Sequence, residues 1–126
     1  MHRILLREVV IDVPRSSFPV TRDFWAAALM AEARQVPDYP EFTSLRDPAA
    51  LPRVGLQEID AGEPRLHLDI ETDDVDAEVA RLVGLGAVKI ADGRTWVVMR
   101  DPAGLLFDVL PAESPMFAQN ARQVSQ

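Results

Sequence analysis

A strand that leads into an amphipathic helix occurs twice in this chain, and this repeat limits the folds that are possible. The clearer copy is the alternating run from His67 to Glu71, which precedes a helical pattern that begins after Asp73 or Asp74. The earlier copy runs from Glu8 to Val13 and precedes a helical segment from Phe24 to Leu29. A strand-helix unit used twice predicts a duplicated α+β fold, with a site between the two copies.

The first copy has a strand with one polar face, because Ile4 to Val13 alternates in polarity. Pro19 suits the first turn of a helix, where its missing N–H is no loss. Prolines between Val36 and Pro52 permit only short extended pieces, with Glu41 to Leu45 the best candidate, before a strand from Arg53 to Ile59. The apolar stripe that this helix is predicted to lay on the sheet is Val20, Phe24, Ala27, Ala28 and Ala31.

In the second copy, period-two alternation separates an apolar face from a polar face. Leu66, Leu68 and Ile70 are predicted to face one way, and His67, Asp69 and Glu71 the other. The acidic residues from Glu71 to Asp76 suit the N-terminal end of the helix that follows. The core face of that helix is predicted to be Val75, Val79, Leu82 and Val83.

The rest of the second copy is predicted to form strands. Ala87 to Ile90 is a short one, and a hairpin runs from about Thr95 to Leu110. Its turn is Asp101-Pro102-Ala103-Gly104, in which the glycine can adopt a positive φ. The pattern is lost after Pro111, so the C-terminal end is predicted to be a polar, frayed tail.

Composition narrows the functional classes. The chain has 126 residues with 13 basic and 20 acidic side chains, a net charge of −7, which disfavours nucleic acid as a partner. No apolar span approaches membrane length. The absence of cysteine excludes a disulfide framework and a thiol nucleophile, and it suits a cytoplasmic protein. One compact domain without a nucleic-acid or membrane partner is therefore expected.

Four segments together resemble the glyoxalase/bleomycin resistance protein/dioxygenase group, the vicinal oxygen chelate superfamily, and in particular its small glyoxalase-like proteins. The resemblance covers about residues 4–111. The segments are Phe24 to Leu29, Arg65 to Ile70, Asp73 to Val79 and Asp101 to Gly104.

The resemblance implies two tandem βαβββ modules that form an open, curled mixed sheet around a cavity. Module one would span about residues 1–62, module two about 63–111, and a polar tail 112–126, all in a single domain. Members of the group are commonly homodimers. Open sheet edges and apolar residues such as Trp25 and Phe117, which would need cover, favour the same assembly here.

In metal-dependent relatives, the first and last strands of each module supply the ligands, which implies His67 and Asp108 from module two. Module one would supply Glu8 and either Gln57 or Glu58, with Gln57 in the matching register. One imidazole and three oxygen ligands suit Mn²⁺, Ni²⁺, Zn²⁺ or Fe²⁺. Such an ion could bind two substrate oxygens and stabilise an enediolate-like intermediate. Glu8 and Asp108 are then the candidate catalytic residues.

Other side chains are candidates for contact with a substrate, and each has a structural alternative. Asp12 and Asp69 lie on the polar strand faces, whereas Trp96 and Arg100 lie in the hairpin. Trp96 could instead belong to a core or a subunit contact, and Arg100 could be solvent-exposed. His67 could simply pair with a carboxylate such as Asp69 or Asp108.

Two functional classes remain open, since fold alone does not decide function. The first is a metal-dependent lyase, isomerase or dioxygenase acting on a small oxygenated metabolite. The second is a metal-free binding or sequestering protein of the resistance type, whose acidic cavity would prefer a neutral or cationic ligand. His2, near the start of the chain, is expected to be solvent-exposed.

Overall fold

The computed structural model describes residues 1–46 and 53–124. Pro48 and Pro52, in the segment between Val36 and Pro52, lie outside the described residues. The strands are β1 (Arg3–Pro14), β2 (Glu32–Val36), β3 (Tyr39–Arg46), β4 (Val54–Ile59), β5 (Arg65–Thr72), β6 (Val88–Asp92), β7 (Val97–Arg100), β8 (Leu106–Pro111) and β9 (Arg122–Gln123). The helices are α1 (Phe18–Ala28), α2 (Val75–Gly84) and α3 (Phe117–Asn120), and a 3₁₀ turn, Arg15–Ser17, precedes α1.

The strands form a mixed sheet whose hydrogen-bonded order is β2-β3-β4-β1-β5-β8-β7-β6, with β9 paired to β1. β1 runs parallel to β4 and β5 runs parallel to β8, while the hairpin pairs β2–β3 and β7–β8 are antiparallel. The path ends at β2 and at β6, so the sheet is not closed in the described part of the chain. The element order βαβββ occurs twice, and the predicted α+β fold class is confirmed.

The chain divides into two compact units, Met1–Arg7 with Leu68–Gln126, and Glu8–His67. The divisions cut through β1 and β5, so each unit takes residues from both halves of the sequence. The limits predicted for the two modules, and their place in a single domain, stay predictions.

The core of the unit Glu8–His67 corrects the predicted face of α1. Its buried residues are Val13, Phe18, Leu45 and Leu56, with Trp25, Ala26 and Leu29 packed against them. In the predicted stripe, by contrast, Val20 is 70% exposed and Phe24 is 60% exposed. The helix turns Phe18 and Trp25 inward because two large rings remove more apolar surface from water than the alanines do. Ala31 lies beyond the end of the helix.

The core of the other unit lies between α2 and the β7–β8 hairpin. Its buried residues are Val97, Met99, Phe107 and Val109, and Ile70, Val75, Val79 and Leu82 pack against them. The predicted face of α2 is therefore right except at Val83, which is 49% exposed. Asp74, rather than Asp73, caps the helix by accepting the Ala77 N–H at 3.0 Å. Gly104 has a φ of +102°, as its place in the hairpin turn predicts.

The buried face of β5 is the polar one. His67, Asp69 and Glu71 are 5%, 6% and 0% exposed, whereas Leu66 and Leu68 are 54% and 37% exposed. Ile70 is the residue of the apolar face that reaches the core beneath α2. The polar side chains can be buried because they form ion pairs and hydrogen bonds with other buried groups.

The two chain ends are more ordered than predicted. The predicted tail contains α3, and Phe117 is buried rather than available as an apolar rim residue. β9 pairs antiparallel with β1, matching Arg3 to Gln123. His2 is not solvent-exposed: its side chain is 11% exposed, and Nε2 lies 2.8 Å from an oxygen of the buried Glu78. These contacts hold both ends in the unit that contains α2.

Candidate functional site

His67 is fixed by a buried carboxylate within the unit Glu8–His67. Its Nδ1 lies 2.9 Å from Oδ2 of Asp12 on β1. The Arg65 Nε–H donates to the same oxygen at 3.1 Å. A carboxylate only accepts hydrogen bonds, so the proton of a neutral His67 lies on Nδ1. Nε2 is then the ring nitrogen with a lone pair that can coordinate an ion.

Two further carboxylates meet on neighbouring strands of the other unit. Asp69 of β5 and Asp108 of β8 lie directly opposite each other in a parallel pair, so their side chains leave the same face of the sheet. Asp69 is buried and Asp108 is half-buried. Two carboxylates this close favour a cation between them.

Strand geometry brings His67 into the same group. His67 and Asp69 are two positions apart on the continuous strand β5, on one face, and Asp108 is the register partner of Asp69. These three side chains offer ligand atoms that all lie within 4.8 Å of one another. One imidazole nitrogen and two carboxylate oxygens fit a borderline or hard divalent ion, so the donor set suits a metal.

The residues predicted from module one share one face of β1 and β4. Gln57 is the register partner of Asp12. The Glu8 carboxylate lies against Gly55, where an added Cβ would come within 2.9 Å of Oε2. Among the described residues, the group that could share an ion does not include Glu8. The roles predicted for Glu8 and Gln57 stay predictions.

The alternative to Gln57, Glu58, is placed differently. It is the register partner of the core residue Val13, and it therefore lies on the face opposite to Gln57. Its Oε1 accepts the Arg15 Nε–H at 2.6 Å. Of the two neighbours, Gln57 is thus the one on the face of Asp12.

Trp96 directly precedes β7, and Arg100 is the last residue of that strand. The indole of Trp96 packs directly against Gly93, where any side chain would overlap the ring, and the Arg94 guanidinium lies 5.4 Å from its centre. Arg100 is exposed and is the register partner of Leu106. The substrate contacts predicted for these two residues, and for Asp12 and Asp69, stay predictions.

A second buried acid of β5, Glu71, was predicted to lie on the polar strand face and near the helix terminus, but its partners were not predicted. Glu71 is fully buried; Arg7 Nε lies 3.2 Å from its Oε2, and the Ser114 N–H donates to Oε1 at 3.1 Å. Alternation placed Glu71 on the polar face, but neither of its partners is near it in the sequence. The pairing of Asp12 with His67 was missed for the same reason.

Comparison with known proteins identifies the family. The model of the glyoxalase-like domain matches residues 8–110, and the chain therefore belongs to this family and, through it, to the vicinal oxygen chelate superfamily. No match was found among curated proteins. No helix in the described residues is long and apolar enough to cross a membrane.

Solved structures of low identity share the fold. The Mn(II)-bound glyoxalase from Novosphingobium aromaticivorans is 21% identical with a TM-score of 0.60, over 88% of this chain and 40% of that one. A methylmalonyl-CoA epimerase from Mycobacterium tuberculosis is 16% identical with a TM-score of 0.57, over 90% and 91% of the two chains. A glyoxalase/bleomycin resistance protein/dioxygenase superfamily member from Vibrio splendidus 12B01 is 18% identical with a TM-score of 0.57, over 86% and 100%. This chain thus spans less than half the length of the Mn(II)-bound glyoxalase.

Proposed function

We propose that this protein is a metal-dependent enzyme of the glyoxalase-like family, a lyase, isomerase or dioxygenase that acts on a small oxygenated metabolite. The observation that carries the proposal is the group of His67, Asp69 and Asp108, whose ligand atoms lie within 4.8 Å of one another. The similarity of the chain's fold to that of a Mn(II)-bound glyoxalase adds support. The ion would be Mn²⁺, Ni²⁺, Zn²⁺ or Fe²⁺.

The residues around this group have distinct proposed tasks. Asp12 orients His67 so that Nε2 can bind the ion. A bound divalent ion would supply Lewis acidity toward substrate oxygens. Glu8 and Asp108 are the candidates for proton transfer. Gln57 and Glu8 are candidates to complete the ligand set, and Trp96 and Arg100 are candidates to contact the substrate.

The assembly and location that accompany this function are also proposals. We propose a homodimer in the cytoplasm. The homodimer is supported by the unpaired sheet ends at β2 and β6 and by large apolar side chains that remain exposed.

The test is metal binding by protein that carries no affinity tag. Metal content is measured after purification, and the metal-free protein is then titrated with each of the four ions by calorimetry. We expect binding of one ion per chain, and we expect His67→Ala to abolish it because the set loses its nitrogen ligand. His2→Ala is the matched control, since it removes the other histidine of the chain and should leave binding unchanged. Stoichiometric binding by His67→Ala would show that His67 is not a ligand.

A second function is favoured by the internal pairing of the buried charges. Asp12 is paired with His67 and Arg65, and Glu71 with Arg7. Such a network is also what a metal-free binding protein for a neutral or cationic ligand would contain. If the purified protein retains no metal and none of the four ions releases or absorbs heat in the titration, this second function is favoured over the enzyme.

A further inference from the structure

Gly55 is a glycine at a position where the backbone does not require one. It is buried within β4. Its φ is not positive, unlike those of Gly62, Gly86 and Gly104, and the pairing of β4 with β1 runs through it without a bulge. Glycine weakens the interior of a strand, and where no turn or bulge needs it, it often marks the close approach of another group.

The group that approaches Gly55 is the carboxylate of Glu8. A Cβ added at Gly55 would come within 2.9 Å of Glu8 Oε2 and 3.4 Å of Cδ. The strand register explains this contact, because Gly55 pairs with Val10 and Glu8 lies two positions before Val10 on the same face of β1. The Glu8 carboxylate therefore occupies the space that a side chain at position 55 would fill.

The same face of the unit Glu8–His67 carries the group that orients His67. Asp12 lies two positions after Val10 and is 2.9 Å from Nδ1 of His67, and Gln57 is its register partner. Glu8 thus shares a face with Asp12 and with the other candidate ligand from this unit. The place of the Glu8 carboxylate on this face determines what it contributes to the proposed metal site.

The contact at Gly55 differs in kind from the one at Gly93. An added Cβ at Gly93 would overlap the ring of Trp96, which carries no charge. At Gly55 the neighbour is the end of a flexible, ionisable side chain, which can accept hydrogen bonds or bind an ion. A methyl group at position 55 would therefore move the Glu8 carboxylate and leave the strands in place.

We propose that Gly55 is a positioning residue for Glu8. Because it has no side chain, the Glu8 carboxylate lies against β4, and this placement sets the contribution of Glu8 to the binding of a divalent ion. The inference rests on the proposed function, since the ion belongs to that function.

The first test is a titration of the metal-free protein with Mn²⁺ by calorimetry. We expect Gly55→Ala to lower the affinity about tenfold, the size of loss that follows when a group supporting a metal site is disturbed. Glu8→Ala should lower the affinity at least as much. In the Glu8→Ala background, Gly55→Ala should cause no further loss, because the added methyl group then meets no carboxylate.

Gly84→Ala is the matched control. A Cβ added at Gly84 has no other group within 4 Å, so this variant should bind Mn²⁺ as the wild type does. Circular dichroism checks the fold of each variant. If Gly55→Ala does not fold, the double variant with Glu8→Ala should fold, and a double variant that also fails would overturn the proposal.

The second test needs no metal. The carboxyl ¹³C resonance of Glu8, assigned by its loss in Glu8→Ala, should shift in Gly55→Ala and stay in place in Gly84→Ala. A resonance that does not move, an unchanged Mn²⁺ affinity of Gly55→Ala, or a further loss in the double variant would each contradict the proposal. If the wild type itself binds no ion, the proposed function fails, and the resonance alone then decides whether Gly55 positions Glu8.

Discussion

The buried carboxylate of Asp12 determines which atom of His67 is left for a ligand. One of its oxygens, Oδ2, receives hydrogen bonds from His67 at 2.9 Å and from Arg65 at 3.1 Å. The other oxygen is buried without a hydrogen bond in the described part of the chain. A histidine held in this way has both its tautomer and its ring plane set before any ion arrives.

Removal of the charge from this positioning group should weaken the proposed metal site without breaking the fold. We expect Asp12→Asn to lower the affinity for the ion by about 10-fold to 100-fold, as losses of outer-shell partners do. Calorimetric titration of the metal-free variant measures this, with circular dichroism as the check on folding. Asp38→Asn, an exposed acid outside the site, is the matched control. Equal affinities of Asp12→Asn and the wild type would remove Asp12 from the site.

Glu78 is another buried acid, and its contacts bear on the stability of the fold. Arg81 donates to both of its oxygens, at 2.7 Å and 2.8 Å, and His2 lies 2.8 Å from Oε1. Burial alone would raise the pKa of Glu78, but the hydrogen bonds and charges of Arg81 and His2 outweigh it and hold this pKa below the ordinary value of 4.5. The folded state therefore binds this proton less readily than the unfolded chain does.

The sign of this shift predicts how stability changes with pH. A lowered folded-state pKa stabilises the fold fully above pH 4.5, and this contribution is lost as pH falls through the folded-state pKa. We expect Glu78→Gln to lower the free energy of unfolding by about 2 kcal/mol at neutral pH, the size of a lost charged hydrogen bond. The difference from the wild type should shrink under acid. Urea denaturation across the pH range measures it, and Glu63→Gln, at an exposed position, should show no such difference.

At the scale of elements, the sequence predicted α1, α2 and most strands, but it missed α3 and assigned the buried face of α1 wrongly. Periodicity determines that α1 is a helix, but several neighbouring stripes fit it, and the volume of Phe18 and Trp25 decides between them. On β5, alternation separates the two faces correctly. Which face is buried depends on partners such as Asp12 and Arg7, which a local pattern does not contain.

The N-cap of α2 is an element-scale feature with a measurable effect. Asp74 accepts the Ala77 N–H at 3.0 Å, so Asp74→Ala should lower the free energy of unfolding by about 1 kcal/mol. Asp74→Asn keeps a capping oxygen and should stay close to the wild type. Chemical denaturation compares the two variants. An equal loss in both would mean that charge, rather than the cap, is what Asp74 contributes.

For the whole molecule, the fold was more predictable than the site. The repeated strand-helix pattern and the hairpin turn at Gly104 gave the element order, because both depend on local chemistry. Two residues of the predicted ligand set, His67 and Asp108, lie close together. The third residue of the group, Asp69, was predicted to contact the substrate instead. Register across β5 and β8 decides this, and one sequence does not contain it.

Self-association is the prediction at this scale. The exposed apolar side chains include Val20 and Phe24 on α1 and Leu66 and Leu68 on β5, and Phe117, one of the residues that first suggested an interface, is not among them. We expect a homodimer by light scattering at tens of micromolar, since exposed apolar patches and open sheet edges favour association. A mass of 14.0 kDa, that of one chain, at every concentration would contradict this.

The pairing of β9 with β1 affects how the chain can fold during its synthesis. The Gln123 side chain donates to the carbonyl of His2, 121 positions earlier, and the Val124 N–H donates to the same carbonyl at 2.9 Å. In a nascent chain on the ribosome, the residues of β1 are synthesised long before the residues that complete the unit have emerged. Contacts between such distant positions form slowly because a long loop must close first. The unit that contains α2 should therefore complete its folding only once β9 has emerged, and until then shielding by a chaperone matters most.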